Sequence, residues 1–133
     1  MAWTEPVTDR TAEDVAQRRK KGFCNAADLN RLEGNCGWLG KALAAEPQTR
    51  EWMRGEFPTS GELERILGNI AALRAAYYTR STTPATPEAP LNTWEKWNEA
   101  ETILRDIHSL LEANGEAVPR AGERWIGEGI GVI

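Results

Sequence analysis

The sequence predicts a mainly α-helical protein. The expected form is a small bundle of three related amphipathic helices. A short N-terminal helix precedes it, and an extended or short-β C-terminal tail follows. Three observations predict it. Apolar residues recur at helical spacing in three stretches, about 26–44, 61–79 and 93–113. A capping-type residue (Asn, Thr or Ser) stands before each of them. The stretch ADLNRLEGNCGWL at 27–39 returns thirty-four residues later as GELERILGNIAAL at 61–73.

The first helix opens at Thr11, with Asp14 three residues on, the arrangement of a capping box. The basic run Arg18-Arg19-Lys20-Lys21 suits its C-terminal end, which is expected near Gly22. Asn25 caps the second helix. Its stripe is Leu29, Leu32, Cys36, Leu39 and Leu43, and Pro47 stops it. Residues 49–53 are expected to make one or two helical turns. Thr59 or Ser60 caps the third helix, whose stripe is Leu63, Ile66, Leu67, Ile70, Leu73 and Tyr77. A proline-bearing linker, about 80–92, follows. Asn92 or Thr93 caps the fourth helix, with Trp97, Ala100, Ile103, Leu104, Ile107, Leu110 and Leu111 inward and Asn114-Gly115 at its end. Residues 1–120 form the helical domain. Residues 121–133 form the tail, too rich in glycine for a good helix.

The repeat pairs Leu29 with Leu63, Arg31 with Arg65, Gly34 with Gly68, Asn35 with Asn69 and Leu39 with Leu73. The fourth helix matches more weakly, with Ile103 for Ile66 and Asp106 for Asn69. A helical-hairpin solenoid is excluded, since each unit would need two helices and the proline linker interrupts the second. Three homologous helices packed on one another fit better. Gly34 and Gly68 each cost about 1 kcal/mol of helix propensity relative to alanine, which suggests close helix contact. For Asn35 and Asn69 two roles stay open, buried register-setting between helices or a boundary position facing water. The linkers are long enough to run back along a helix, so that successive helices can lie parallel.

The net charge of −4 argues against a general nucleic-acid binder. No apolar run reaches the roughly 20 residues of a membrane span. The opening MAWTEPVTDR lacks the pattern of a secretory signal, so synthesis in the cytoplasm is expected. Two cysteines, Cys24 and Cys36, and one histidine, His108, do not make a zinc set, and both thiols are expected reduced and mostly buried. No nucleophile elbow, phosphate loop, dinucleotide fingerprint or metalloprotease motif is present. His108 stands beside core positions on the fourth helix, a boundary residue rather than a general base. No catalytic, metal or cofactor-binding residues are therefore expected, and the protein is not expected to be an enzyme.

The six tryptophans are many for one small core. Trp97 belongs inside and Trp38 at the core edge. Trp3, Trp52 and Trp125 fall in short or irregular segments, where a tryptophan either caps the bundle or serves an interface. The candidate interface adds Ile126, Ile130, Val132 and Ile133 from the tail.

The order of motifs resembles that of small proteins encoded among the tail and baseplate genes of phages and prophages, mostly of Gram-positive bacteria. The matching residues are Asp9-Arg10-Thr11 with Asp14-Val15, Lys21-Gly22 with Asn25 to Asn35, and Phe57-Pro58-Thr59. Glu62, Arg65, Leu67, Asn69 and Ala72-Leu73-Arg74 continue it, then Glu101 to Ile107, and more loosely Gly122-Glu123 and Gly127-Glu128. Trp125 stands where the pattern has tyrosine. The resemblance implies a non-enzymatic virion structural or adaptor protein of a tail, baseplate or fibre junction. Its partners would be other virion proteins, in multiple copies, with no nucleic acid or membrane. The alternative is a free cytoplasmic helical adaptor or regulator that binds a host or phage partner.

Overall fold

The computed structural model describes residues 3–19 and 25–115. Four helices are present: α1 (Ala12–Ala16), α2 (Ala26–Ala42), α3 (Ser60–Ala76) and α4 (Trp94–Ala113). No strand occurs among the described residues. The tail 121–133 lies outside them, and so do Cys24, Lys20, Lys21 and Gly22.

Local chemistry sets each start. Thr11, Asn25 and Thr59 cap α1, α2 and α3 through reciprocal capping boxes with Asp14, Asp28 and Glu62. Thr93 caps α4 by accepting from the Lys96 amide. The three long helices thus begin at Asn25, Thr59 and Thr93, and a single interval of 34 residues separates them. That interval corrects the looser alignment of α4, in which Ile103 stood for Ile66. In cap register Trp97, Ala100, Leu104 and Ile107 answer Leu63, Ile66, Ile70 and Leu73.

The stops differ from expectation. α1 ends at Ala16 rather than near Gly22. Arg18 takes a left-handed conformation, φ 57°, and the Arg19 amide donates to Asp14 O at 2.8 Å, which closes the helix. α2 ends the same way two residues past its last turn, with Ala44 at φ 57° and the Ala45 amide on Gly40 O at 2.7 Å. Pro47 comes later and packs against Gly40. Residues 49–53 form no helix. Asn30 anchors them instead, since its side chain accepts from Trp52 N at 2.7 Å and donates to Trp52 O at 3.0 Å. These bonds replace the intrahelical ones.

Helices α2, α3 and α4 pack pairwise around one core. Leu29, Leu32, Cys36, Leu39, Ile66, Leu67, Ile70, Leu73, Ala100, Ile103, Leu104, Ile107 and Leu111 are all buried. Leu43, Leu63 and Tyr77 are only partly buried against it. Trp97 is buried and Trp38 lies at the edge, as the stripes predict.

The three helices run in the same sense. Arg31 meets Glu101 and, one helix segment on, Trp38 meets His108. Glu33 meets Arg65, and the C-terminal ends of α3 and α4 are joined by Asn114 donating to the Tyr77 hydroxyl at 2.8 Å. Parallel neighbours require return segments, and each return lies in a groove between two helices. Residues 3–10 cover α4/α2: Thr4 exchanges two bonds with the Asn35 amide, at 2.9 and 2.8 Å, and Arg10 exchanges two with Asn98, at 3.1 and 2.9 Å. Residues 43–56 cover α2/α3 through Gln48 O, which accepts from Arg65 and Asn69, and through Trp52. Residues 80–91 cover α3/α4. There Thr83 Oγ1 donates to Asp106 at 2.6 Å and Arg74 Nε donates to Pro84 O at 3.0 Å. The proline-bearing segment is therefore part of the packed domain.

Two sequence-based roles need correction. An added Cβ at Gly34 or Gly68 would meet nothing within 4 Å, so neither glycine marks a close helix contact. The close approach is at Gly40, where a Cβ would collide with the Pro47 ring. Asn35 is buried, but it clamps the N-terminal segment rather than setting helix register. Asn69 is half-buried and holds the α2–α3 return.

Candidate interaction surface

Polar groups in the grooves are satisfied by the fold itself. Glu101, 1% exposed, accepts from Val7 N (3.0 Å), Arg10 (2.6 Å) and both Arg31 Nε (2.6 Å) and Nη2 (2.8 Å). Burial alone would lower the Arg31 pKa, but its bonds to Glu101 and Asp28 outweigh that and raise it. Glu33 plays the matching part in the next groove, accepting from Arg65 and from Trp52 Nε1 at 2.8 Å. The hydrogen bond to Arg65 raises the guanidinium's pKa. Cys36 is a free thiol in the core, pushed up to about 12 chiefly by burial, which keeps it protonated and unreactive.

The predicted interface residues separate. Trp52 is buried, 3% exposed, with its indole N–H on Glu33. This corrects its assignment to an interface: the return segment is anchored through this side chain. Trp3 is half-buried. It stacks on His108 at 3.9 Å between ring centroids and meets Trp38 edge-on at 5.7 Å, so it pins the segment 3–10 to α4 and α2. Burial lowers the His108 pKa, against the opposing pull of Glu112 and Glu5. Trp125, Ile126, Ile130, Val132 and Ile133 lie outside the described residues.

What the structure adds is the turn 53–58, at the end of the bundle where α2 and α3 begin. Gly55 has φ +90°, a conformation that favours glycine. Glu56 closes the turn, donating from its amide to Met53 O (3.0 Å) and accepting the Met53 amide on its carboxylate (2.6 Å). Arg50 braces it from behind. Its guanidinium lies 3.8 Å over the Trp52 ring and bonds Glu56 and Glu62. The Thr59 cap bond, helped by Arg50, holds the Glu62 carboxyl below its usual range. The turn presents Phe57, 86% exposed, and Met53, 65% exposed. Beside them opens a cavity of about 580 Å³, lined by Asn25, Ala26, Ala27 and Leu29 of α2 and by 54–58. Sequence periodicity missed this surface because Met53 and Phe57 belong to no helical stripe. The available signal was an aromatic and a methionine inside a turn flanked by glycine and proline.

Among the described residues no group of three or more His, Cys, Asp or Glu side chains could hold a metal ion. Among them also, no helix is long and apolar enough to cross a membrane. The architecture is a three-helix parallel bundle with its grooves filled by return segments. Comparison with protein-family models, curated proteins and solved structures gives no match.

Proposed function

We propose that the protein is a non-enzymatic structural or adaptor component of a phage tail, baseplate or fibre junction, acting through protein–protein contacts. One observation carries this reading. Polar residues in the motifs that resemble those of phage tail-region proteins hold the return segments and caps in place. Arg10, Thr11, Asp14, Asn25, Asp28, Asn30, Arg31, Glu33, Asn35, Glu62, Arg65, Asn69 and Glu101 all serve that architecture. Groups engaged in holding a fold are poor candidates for turnover. The exposed turn with Met53 and Phe57 supplies an apolar contact surface of the kind that partners use. Mass spectrometry of purified particles tests the proposal: the chain should be present in stoichiometric amount. Its absence from particles, with the protein found only free in the host cell, would favour a cytoplasmic adaptor instead.

A further inference from the structure

The arginines that lock the first two returns are held closely. Arg10 and Arg31 meet Glu101, and Arg65 meets Glu33, at 2.5–2.8 Å. Such lengths belong to charge-assisted hydrogen bonds that are fully made. Arg80 and Arg105 differ. Both reach for one oxygen, Asp106 Oδ1, with Arg80 Nη1 at 3.4 Å, Arg105 Nε at 3.3 Å and Arg105 Nη2 at 3.2 Å. The other oxygen, Oδ2, accepts from Thr83 at 2.6 Å. Further bonds of the two guanidiniums go to hydroxyls, Arg80 to Ser109 at 3.2 Å and Arg105 to Thr8 at 3.4 Å.

Charge and donors are both in excess there. The Asp106 side chain is 4% exposed, while those of Arg80 and Arg105 are 42% and 49% exposed. A third guanidinium, Arg74, sits close by on the carbonyls of Thr83 (3.4 Å) and Pro84 (3.0 Å). Each guanidinium offers five N–H donors, more than these contacts use. Two half-exposed cations therefore share one buried carboxylate, through long bonds, with donors left over.

The repeat architecture requires neither base. In cap register Arg105 answers Gly37 and Ala71, and Arg80 answers Ala12 and Glu46. The first two units hold their returns without a base at these positions. In the third, Thr83 supplies the close bond between Asp106 and the return.

We propose that Arg80 and Arg105 form a carboxylate-binding notch across α4, between the first and third returns, and that its occupant is an acidic segment of a partner protein. This deepens the structural reading above and rests on it. A partner protein presents oxyanions as Asp and Glu side chains, and their planar carboxylates match the guanidinium fork. One entering carboxylate takes the donors that Asp106 leaves unused and offsets the excess charge.

The test uses the full-length chain, with tetraglutamate as the probe and sodium chloride holding the ionic strength constant. The arginine Nε–H resonances of Arg80 and Arg105 should shift saturably in NMR titrations. Arg80→Gln and Arg105→Gln should each weaken binding by about threefold or more, as loss of one member of an exposed pair does. Lys41→Gln removes the same charge from an exposed site on the last turn of α2 and should bind as the parent does. Thermal melts of the three variants should match the parent, since each arginine variant leaves Asp106 with Thr83 and one guanidinium. No saturable shift would overturn the proposal. So would equal weakening by Lys41→Gln, which indicates attraction to net charge alone. Saturation by inorganic phosphate but not by tetraglutamate would overturn it too. Particle composition tests the parent reading separately: a chain absent from particles would remove that reading, while a chain present in particles that ignores tetraglutamate would remove only the notch.

Discussion

Replacing Glu101 by alanine should be among the most damaging single changes in the protein. The carboxylate is 1% exposed and accepts four hydrogen bonds, from Val7 N, Arg10 and twice from Arg31. The Arg10 and Arg31 side chains are themselves only 4% and 11% exposed. Without the carboxylate, Arg31 keeps Asp28 at 2.6 Å, while Arg10 keeps the Val7 carbonyl and a longer approach to Asp28 at 3.6 Å. One buried guanidinium thus loses its close counter-charge. Breaking a buried pair from one side costs about 3–5 kcal/mol. That is a large share of the roughly 5–15 kcal/mol that holds a domain folded. Glu101→Gln keeps the shape but turns an NH2 toward a guanidinium, and should cost less than alanine while remaining clearly destabilising. The assay is urea unfolding followed by far-UV circular dichroism, with hydrogen exchange at Thr4, Val7 and Arg10 reporting on the first return segment. Glu13→Ala, at an exposed ion pair with Arg19, is the control and should change stability by less than about 1 kcal/mol. A loss below about 1 kcal/mol for Glu101→Ala would refute the view that the carboxylate locks residues 3–10 into the groove.

Leu32→Ala, Ile70→Ala and Ile107→Ala, at positions with 0% exposure, should each cost about 2–5 kcal/mol in the same titration. Gly34→Ala and Gly68→Ala should raise the melting temperature, gaining up to about 1 kcal/mol of helix propensity with no clash. Gly40→Ala should lower it through the collision with Pro47, by about 1–3 kcal/mol, and the reverse pattern of signs would contradict the packing described. His108 should titrate below its ordinary 6.5 by proton NMR, because burial disfavours the charged ring. The unfolded chain then binds more protons than the folded one just below pH 6.5, so this contribution to stability is present above that pH and fades as the pH falls toward the folded value. A midpoint at or above 6.5 would be inconsistent with the half-buried stack on Trp3.

The helices were legible because their signals are local. The caps at Thr11, Asn25, Thr59 and Thr93 form, and the stripes at 3.6-residue spacing line the core, with Leu43, Leu63, Tyr77 and Leu110 only partly buried. The return segments were harder to read. Their hold comes from side chains such as Asn30, Asn35 and Asp106 reaching backbone or hydroxyl groups 22, 31 and 23 residues away, and no sequence period encodes that. Residues 49–53, expected to make one or two helical turns, form none, and two bonds to Asn30 anchor them through Trp52. Sequence alone leaves Trp52 open between capping the bundle and serving an interface, because its partner, Glu33, is nineteen residues distant. Gly34 and Gly68 were misread because a helical glycine signals either close contact or mere tolerance, and only the space around it distinguishes them.

The repeat itself follows from parallel packing. Helices α2 and α3 each have 17 residues, each is followed by 16 residues before the next cap, and with the cap residue itself these make the 34-residue interval. A 17-residue helix is about 26 Å long, and an extended chain covers that in about eight residues. The remainder turns the chain at either end. Each unit then meets the next in the same way: Glu33 of α2 holds Arg65 of α3, and Glu101 of α4 holds Arg31 of α2, the cap-register equivalents in both cases. Asn30 and Asn98 likewise grip Trp52 and Arg10 by the same paired backbone bonds. The third interface departs, because α3 has Leu67 and Glu64 where the others have the acid and the asparagine. Its return is tied instead from Asp106, which receives Thr83, Arg80 and Arg105. Two of three interlocks in register argue that the polar pattern is architectural. Met53 and Phe57, exposed on a single turn, and Tyr78, exposed just past α3, stand outside that pattern.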